Sequence, residues 1–248
     1  MNNSFGFAAF AALAAVSATP ASAVTTLFLG QDDGAAVTGP FTNSSAAEAS
    51  FKAAAAAYGV VKTETFESAT VGTLSPLVLA DLTITTSAPN FGPNFSGVNT
   101  GTLGNLYGFN VTPGGKQWYG FPNFTATSAL FVFNSPTNSL GVWLTGIQSV
   151  FTASIKVELI DGSQESFFLP VNGNGGAQFF GAVSGIAFTK VLAIQTNNAG
   201  VADAFGIDDI SFNSGVVPEP ATWSMLIAGF GLVGFAARRR RSVTSVTA

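Results

Sequence analysis

No cysteine and no histidine occur among the 248 residues. Without cysteine nothing can be disulfide-stapled, so a hydrophobic core must hold the fold by itself. Without histidine the Ser-His-Asp and Cys-His arrangements are excluded, together with nearly all zinc, copper and iron sites. Carboxylates are the only catalytic repertoire left. Charge is scarce at 9% of residues and unevenly placed: all four arginines lie at 238–241, leaving five lysines against twelve acidic residues over 24–216. So acidic a body argues against nucleic acid or an anionic lipid surface as partner. What is abundant instead is glycine (28 residues) and phenylalanine (24), with much Asn, Thr and Ser, a composition that fits an exported β-protein.

The chain is organised around its C-terminal end. Pro218-Glu219-Pro220 cannot occupy a helix interior, because proline lacks the N–H donor and pushes the preceding residue toward extended backbone. The triplet therefore reads as an exposed recognition peptide. From Trp223 to Ala237 no charge appears, so this segment has no polar face to turn toward water. A helix over 221–237 is about 25 Å long, just short of the roughly 30 Å hydrocarbon core of a bilayer. Arg238, Arg239, Arg240 and Arg241 follow at once, and such a basic cluster stays on the cytoplasmic side, with Trp223 at the outer interface. Residues 242–248 are then a cytoplasmic tail. This order of triplet, tryptophan, short apolar span and arginine cluster resembles the PEP-CTERM sorting signal of Gram-negative bacteria, in the variant with Trp223 three residues after the second proline. The resemblance implies recognition and cleavage by a membrane-embedded exosortase, transient residence in the inner membrane, and association with exopolysaccharide and biofilm matrix.

The N-terminal end gives the matching export signal. Phe5 to Val16 is an apolar run of signal-peptide length, and Ala21-Ser22-Ala23 has the small-x-small cleavage pattern, so signal peptidase is expected to cut after Ala23 once the translocon has engaged residues 1–23. The segment Met1-Asn2-Asn3-Ser4 lacks the usual Lys or Arg. Between the two signals, 24–216 is long enough for one exported domain.

Within it Ser45-Ala46-Ala47-Glu48 has capping-box spacing, which predicts a helix through the alanines at 53–57, with Gly59 as a left-handed C-terminal cap. Strands are expected at Leu27–Leu29, Val60–Phe66, Leu77–Thr86 with Leu82 and Ile84 inward, Ala129–Phe133, Leu140–Leu144, Ile155–Leu159, Glu165–Leu169, Phe179–Val183, Ile186–Gln195 and Phe205–Phe212. Asp161-Gly162 marks a tight hairpin turn, while 87–122 reads as long loops with short strands. The pattern predicts an all-β antiparallel sandwich, jelly-roll in preference to immunoglobulin type, with one short N-terminal helix and a transmembrane helix beyond it; its opening Phe66-Glu67 and closing Phe205 to Phe212 resemble lectin-like and carbohydrate-module sandwiches.

Several residues invite a chemical reading. Asp208 and Asp209 sit in an apolar strand, where a period of two sends them to opposite faces and makes an unpaired charge expensive. Structural calcium would relieve that cost, with Glu67 as first partner and Asp81 as second; solvated carboxylates at a sheet edge are the alternative. Tyr107, Trp118, Tyr119 and Phe121 lie in the glycine-rich region, where rings either stack on sugars or pack under loops. Glu158 and Glu165 flank the hairpin turn in the manner of glycosidase carboxylates, although hairpins often expose such groups. Asn110-Val111-Thr112 matches a glycosylation sequon, which is uninformative in a bacterial protein. The leading expectation is a non-enzymatic sorting substrate with no cofactor beyond structural calcium; the rivals are a carbohydrate-binding module and a carboxylate-based hydrolase.

Overall fold

The computed structural model describes residues 25–87, 90, 95–123, 127–148, 153–170, 172–196, 203–214 and 220–241. The fold is mostly antiparallel β-sheet. Strand β1 (Thr26–Asp33) leads into helix α1 (Thr42–Ala55), closed by a short 3-10 turn at Ala56–Tyr58. There follow β2 (Val60–Glu64), β3 (Leu77–Val78), β4 (Leu82–Thr86), β5 (Gly97–Thr100) and β6 (Gln117–Asn123). The long strand β7 (Thr127–Thr145), the hairpin of β8 (Ala153–Leu159) and β9 (Gln164–Leu169), the long β10 (Gly176–Thr196) and β11 (Asp203–Ser214) complete the domain, and helix α2 (Pro220–Arg241) ends it.

The hydrogen bonds join eleven strands into one sheet. Continuity runs through β7 and β10, which pair along most of their length with register shifts between Val183 and Lys190. At those shifts the sheet folds over. Phe212 of β11 pairs with Leu140 of β7, and Phe133 lies seven residues back along β7, about 23 Å away on a straight strand. Yet the rings of Phe133 and Phe212 are 5.3 Å apart. The two halves of the sheet therefore face each other, and the main core between them is rich in Phe, Leu, Ile and Val.

A second, smaller core lies under α1. Phe51 is wholly buried there against Phe28 (6.1 Å between ring centroids) and Phe179 (5.5 Å). It seats over the pair Gly141 and Gly181, which face each other across β7 and β10. A Cβ on either glycine would come within 2.7 Å of the Phe51 ring, so the absence of side chains there makes the seat.

Three local expectations need correction. The helix starts at Thr42, not Ser45, and no side chain of its own caps it. The Asp32 carboxylate on β1 does so instead, accepting from the amides of Asn43 (3.0 Å) and Ser44 (2.9 Å), while Glu48 pairs with Lys52 one turn on at 2.8 Å. Gly59, with φ +136°, is not in the left-handed helical region. The strand expected over Leu77–Thr86 is two strands, β3 and β4, turned by the bond from the Leu79 amide to the Leu82 carbonyl. Leu82 and Ile84 do point into the core, and Asp161-Gly162 does turn the β8–β9 hairpin, Gly162 taking φ +85°.

Helix α2 takes Pro220 as its first residue, a position where the missing N–H is not needed. It then runs past the expected end at 237 through all four arginines. Its described apolar side chains, Met225 to Phe235 among them, are exposed to 50–72% in every direction. Among the described residues no helix is long and apolar enough to cross a membrane.

Candidate functional site

Of the sorting residues, Pro218 and Glu219 lie outside the described residues, as do Ala21 and Ala23 of the cleavage pattern. Pro220 opens α2, Trp223 lies in its first turn, and Arg238, Arg239, Arg240 and Arg241 form its last. Arg238 thus lies where the helix dipole favours positive charge.

The carboxylates form the most elaborate polar cluster. Asp208 and Asp209 do not point to opposite faces as their spacing predicts. Asp208 pairs with Trp143 and Ser211 with Gly141, so three steps along β11 match two along β7, and Asp209 takes a left-handed φ of +42°. This bulge turns both carboxylates to one side, where the Thr112 hydroxyl reaches Asp209 Oδ1 at 2.5 Å and Asp208 Oδ2 at 3.3 Å. Asp208 is fully buried. Its Oδ2 also accepts from the Val111 amide (2.7 Å), the Thr112 amide (3.2 Å) and Asn110 Nδ2 (3.1 Å). Its Oδ1 has no hydrogen-bond partner among the described residues. Burial, reinforced by the Asp209 charge, pushes the Asp208 carboxyl up to about 8 against the pull of those amides. Burial also raises Asp209, helped by the Glu48 and Glu67 charges and opposed by Thr112 and Lys52.

Glu67, named from sequence as the partner, does come to this cluster. It arrives through an intermediary: Asn110 Nδ2 donates to Glu67 Oε1 (3.3 Å), to Asp208 Oδ2 (3.1 Å) and to the Gln117 carbonyl (2.9 Å). Glu67 Oε1 further accepts from the amides of Lys116 and Gln117, both at 2.7 Å, and so pins the loop 110–117. A calcium ion needs converging oxygen lone pairs, whereas here N–H groups converge on the carboxylates. Among the described residues no group of three or more His, Cys, Asp or Glu side chains could hold a metal ion. The residues present do not fit calcium, and Asp81, the second candidate, is instead paired with Lys62 at 2.9 Å. Asn110 and Thr112, which carry the cluster, stand out in the sequence only as a sequon. Nothing in their spacing placed them beside a strand nearly a hundred residues away.

The aromatic platform does not assemble. Trp118, Tyr119 and Phe121 are each 1% exposed, and only Tyr107 lies at the surface. Trp118 donates to the Gly101 carbonyl at 2.9 Å, and Tyr119 packs between Phe66 and Phe121 with centroids 6.1 and 4.8 Å away. No broad ring face is open to a sugar at Trp118 or Tyr119. The Tyr119 hydroxyl is buried with no hydrogen-bond partner among the described residues, a situation that costs about 1–3 kcal/mol. Burial pushes it up to about 12, so it stays a neutral donor. Glu158 and Glu165 are also separated. Glu165 stands opposite Val157, whose side chain is buried, so Glu158 lies on the other face and reaches Lys190 at 3.5 Å. Carboxylates on opposite faces cannot flank one bond.

Comparison with known families and structures adds one assignment. The model of the PEP-CTERM protein-sorting motif matches residues 216–241, and the chain carries that motif. No curated protein matches the chain. Among solved structures it is similar to the K2 cleaved adhesin domain of Lys-gingipain, at 13% identity over 62% of this chain and 100% of that one, with a TM-score of 0.36. The enzymatically active domain of tailspike protein 4 of bacteriophage CBA120 is similar at 15% identity and a TM-score of 0.34, over 62% of this chain and 20% of that one. A Family 11 carbohydrate-binding module of a cellulosomal cellulase of Clostridium thermocellum gives 9% identity, 65% and 99% coverage and a TM-score of 0.28. At such scores none of these likenesses carries functional weight.

Proposed function

We propose that this chain, the bearer of a PEP-CTERM motif, is a non-enzymatic exported protein that an exosortase sorts and cleaves. The observation that carries the reading is the motif at 216–241. Residues 1–23 engage the translocon and are removed by signal peptidase after Ala23. The domain 24–216, of jelly-roll type, folds outside the inner membrane. Helix α2 then acts as a temporary anchor. A span short of the hydrocarbon thickness is held by local thinning of the bilayer and by its flanks, Trp223 outside and the arginines inside. Such an anchor is held weakly enough to be given up. Exosortase cleavage near Pro218 to Pro220 releases the domain to the surface, where it joins an exopolysaccharide matrix. The all-round apolar exposure of α2 supports this reading, because such a surface is not stable in water.

Intact-mass measurement of the protein recovered from cells with and without an exosortase tests it. The expected product lacks both residues 1–23 and the arginine cluster, and the cluster persists when the exosortase is deleted. Recovery of a mature product that still carries Arg238 to Arg241 in exosortase-positive cells sinks the reading.

A further inference from the structure

A cleft of about 510 Å³ opens between the segment 37–41, helix α1 and the loop 110–114. Trp143 of β7 and Asp209 of β11 line it from the sheet, and Glu48 lines it from α1. Its apolar side is held in place: the Phe41 ring lies 5.9 Å from Trp143 and 5.8 Å from Phe109 between centroids, and Val37 and Val111 pack against the same small core. Two carboxylates line the cleft, Asp209 and Glu48, and no Lys or Arg does. Asp209 is only 9% exposed. Its Oδ1 accepts from the Thr112 hydroxyl, while no described residue donates to its Oδ2. The amides that crowd Asp208 and Glu67 do not reach that atom. Unlike Asp208 Oδ1 it is not sealed in, and the space beside it is the cleft.

A nearly buried carboxylate oxygen without a donor calls for one from the cleft. Burial, with the charges of Glu48 and Glu67, makes the Asp209 anion costly, and the Thr112 hydroxyl and Lys52 oppose this. Lys52 is itself tied to Glu48 at 2.8 Å. A neutral donor would fill the hydrogen bond and leave the charge; a cation answers both. A metal ion is the wrong cation, since calcium gathers about six to eight oxygens and the cleft is as large as the pockets of about 300–1,000 Å³ that hold small organic ligands. An ammonium group needs fewer oxygens, and an aliphatic stem behind it covers the apolar surface of Phe41, Val37 and Val111.

We propose that this cleft binds a primary ammonium group carried on an aliphatic stem, donating to Asp209 Oδ2 and drawn in by Glu48, either as a small free amine or as a lysine side chain of another protein. The assignment uses none of residues 216–241, so its failure and the failure of the sorting reading are separate events.

Titration calorimetry on the full chain, in an uncharged detergent and an amine-free buffer at neutral pH, tests it. The probes are n-butylammonium, n-pentylammonium and Nα-acetyl-lysine amide, with n-butanol, n-pentanol and the Nε-acetylated form of the last as uncharged counterparts. At least one ammonium probe binds about tenfold or more tightly than its counterpart, and Asp209→Asn removes that margin. Asn takes a left-handed φ readily and still accepts from Thr112, so the bulge survives the change. Glu48→Gln, at the half-buried rim on α1, weakens the same probe to a smaller degree and carries the test should Asp209→Asn fail to fold. Glu165→Gln on β9, outside the cleft, changes nothing. Binding of the alkylammonium ions assigns a small-amine site; binding of Nα-acetyl-lysine amide alone assigns a lysine side chain. Any of three results overturns the proposal: no ammonium probe binds, the uncharged counterparts bind as tightly, or neither cleft variant weakens binding. Binding of D-glucose where the ammonium probes fail overturns it in favour of a neutral sugar.

Discussion

Asp208 is fully buried, with one carboxylate oxygen crowded by donors and the other without a partner among the described residues. Because its carboxyl is raised to about 8, the folded protein keeps a proton that the unfolded chain releases near its ordinary value of 3.8. A raised acid binds more protons folded than unfolded, so stability falls as pH rises from about 4 toward 8. Asp208→Asn, nearly the same shape without the charge, flattens that slope and makes the protein more stable than wild type at pH 8. Urea unfolding of both proteins at pH 5 and pH 8 checks this; equal slopes refute the assignment. That Asp208 would be costly was legible in the sequence from its apolar neighbours, whereas Glu67, expected as a fellow calcium ligand, instead shares the Asn110 side-chain amide with it. The Asp208 partners were not legible, because Asn110 and Thr112 approach from a loop whose path only the folded sheet determines.

Helix α1 owes its start to a residue on another element. Removing the Asp32 carboxylate leaves the amides of Asn43 and Ser44 without their acceptor, so Asp32→Ala costs roughly 0.5–2 kcal/mol. Ser45→Ala, at the position the sequence pattern favours, costs less than about 0.5 kcal/mol. Chemical denaturation of the two variants ranks them, and the reverse order rules out capping from β1. The same helix depends on the glycine pair beneath it. Gly181→Ala pushes a Cβ against Phe51 and Phe179 and costs about 1–3 kcal/mol. Phe51→Ala empties the site and costs about 3–5 kcal/mol; thermal melts of both variants test the ranking. Alanine richness announced the helix. Its first residue stayed hidden, since a cap supplied by Asp32 leaves no local pattern.

At the scale of the whole chain, the tail and the domain are separable in stability. A chain ended at Ser214 melts within about 2 °C of the full chain, because the described apolar side chains of α2 are exposed and not packed into either core. Differential scanning calorimetry on both forms checks it, and a large fall shows that the tail supports the fold. The antiparallel β class followed from period-two runs and turn residues. The single folded-over sheet did not. β7 and β10 each read as two short strands interrupted by poor alternation, and the bulges that bend them are the places where the alternation fails.

Strand β11 is the last strand before the motif at 216–241, and it is flanked by β7 on one edge and by β2 and β6 on the other. A pull applied at the C-terminal end of the domain enters through this strand. Rungs on both sides then share the load at once, as stitches in a seam do when pulled lengthwise, instead of parting one after another from a free edge.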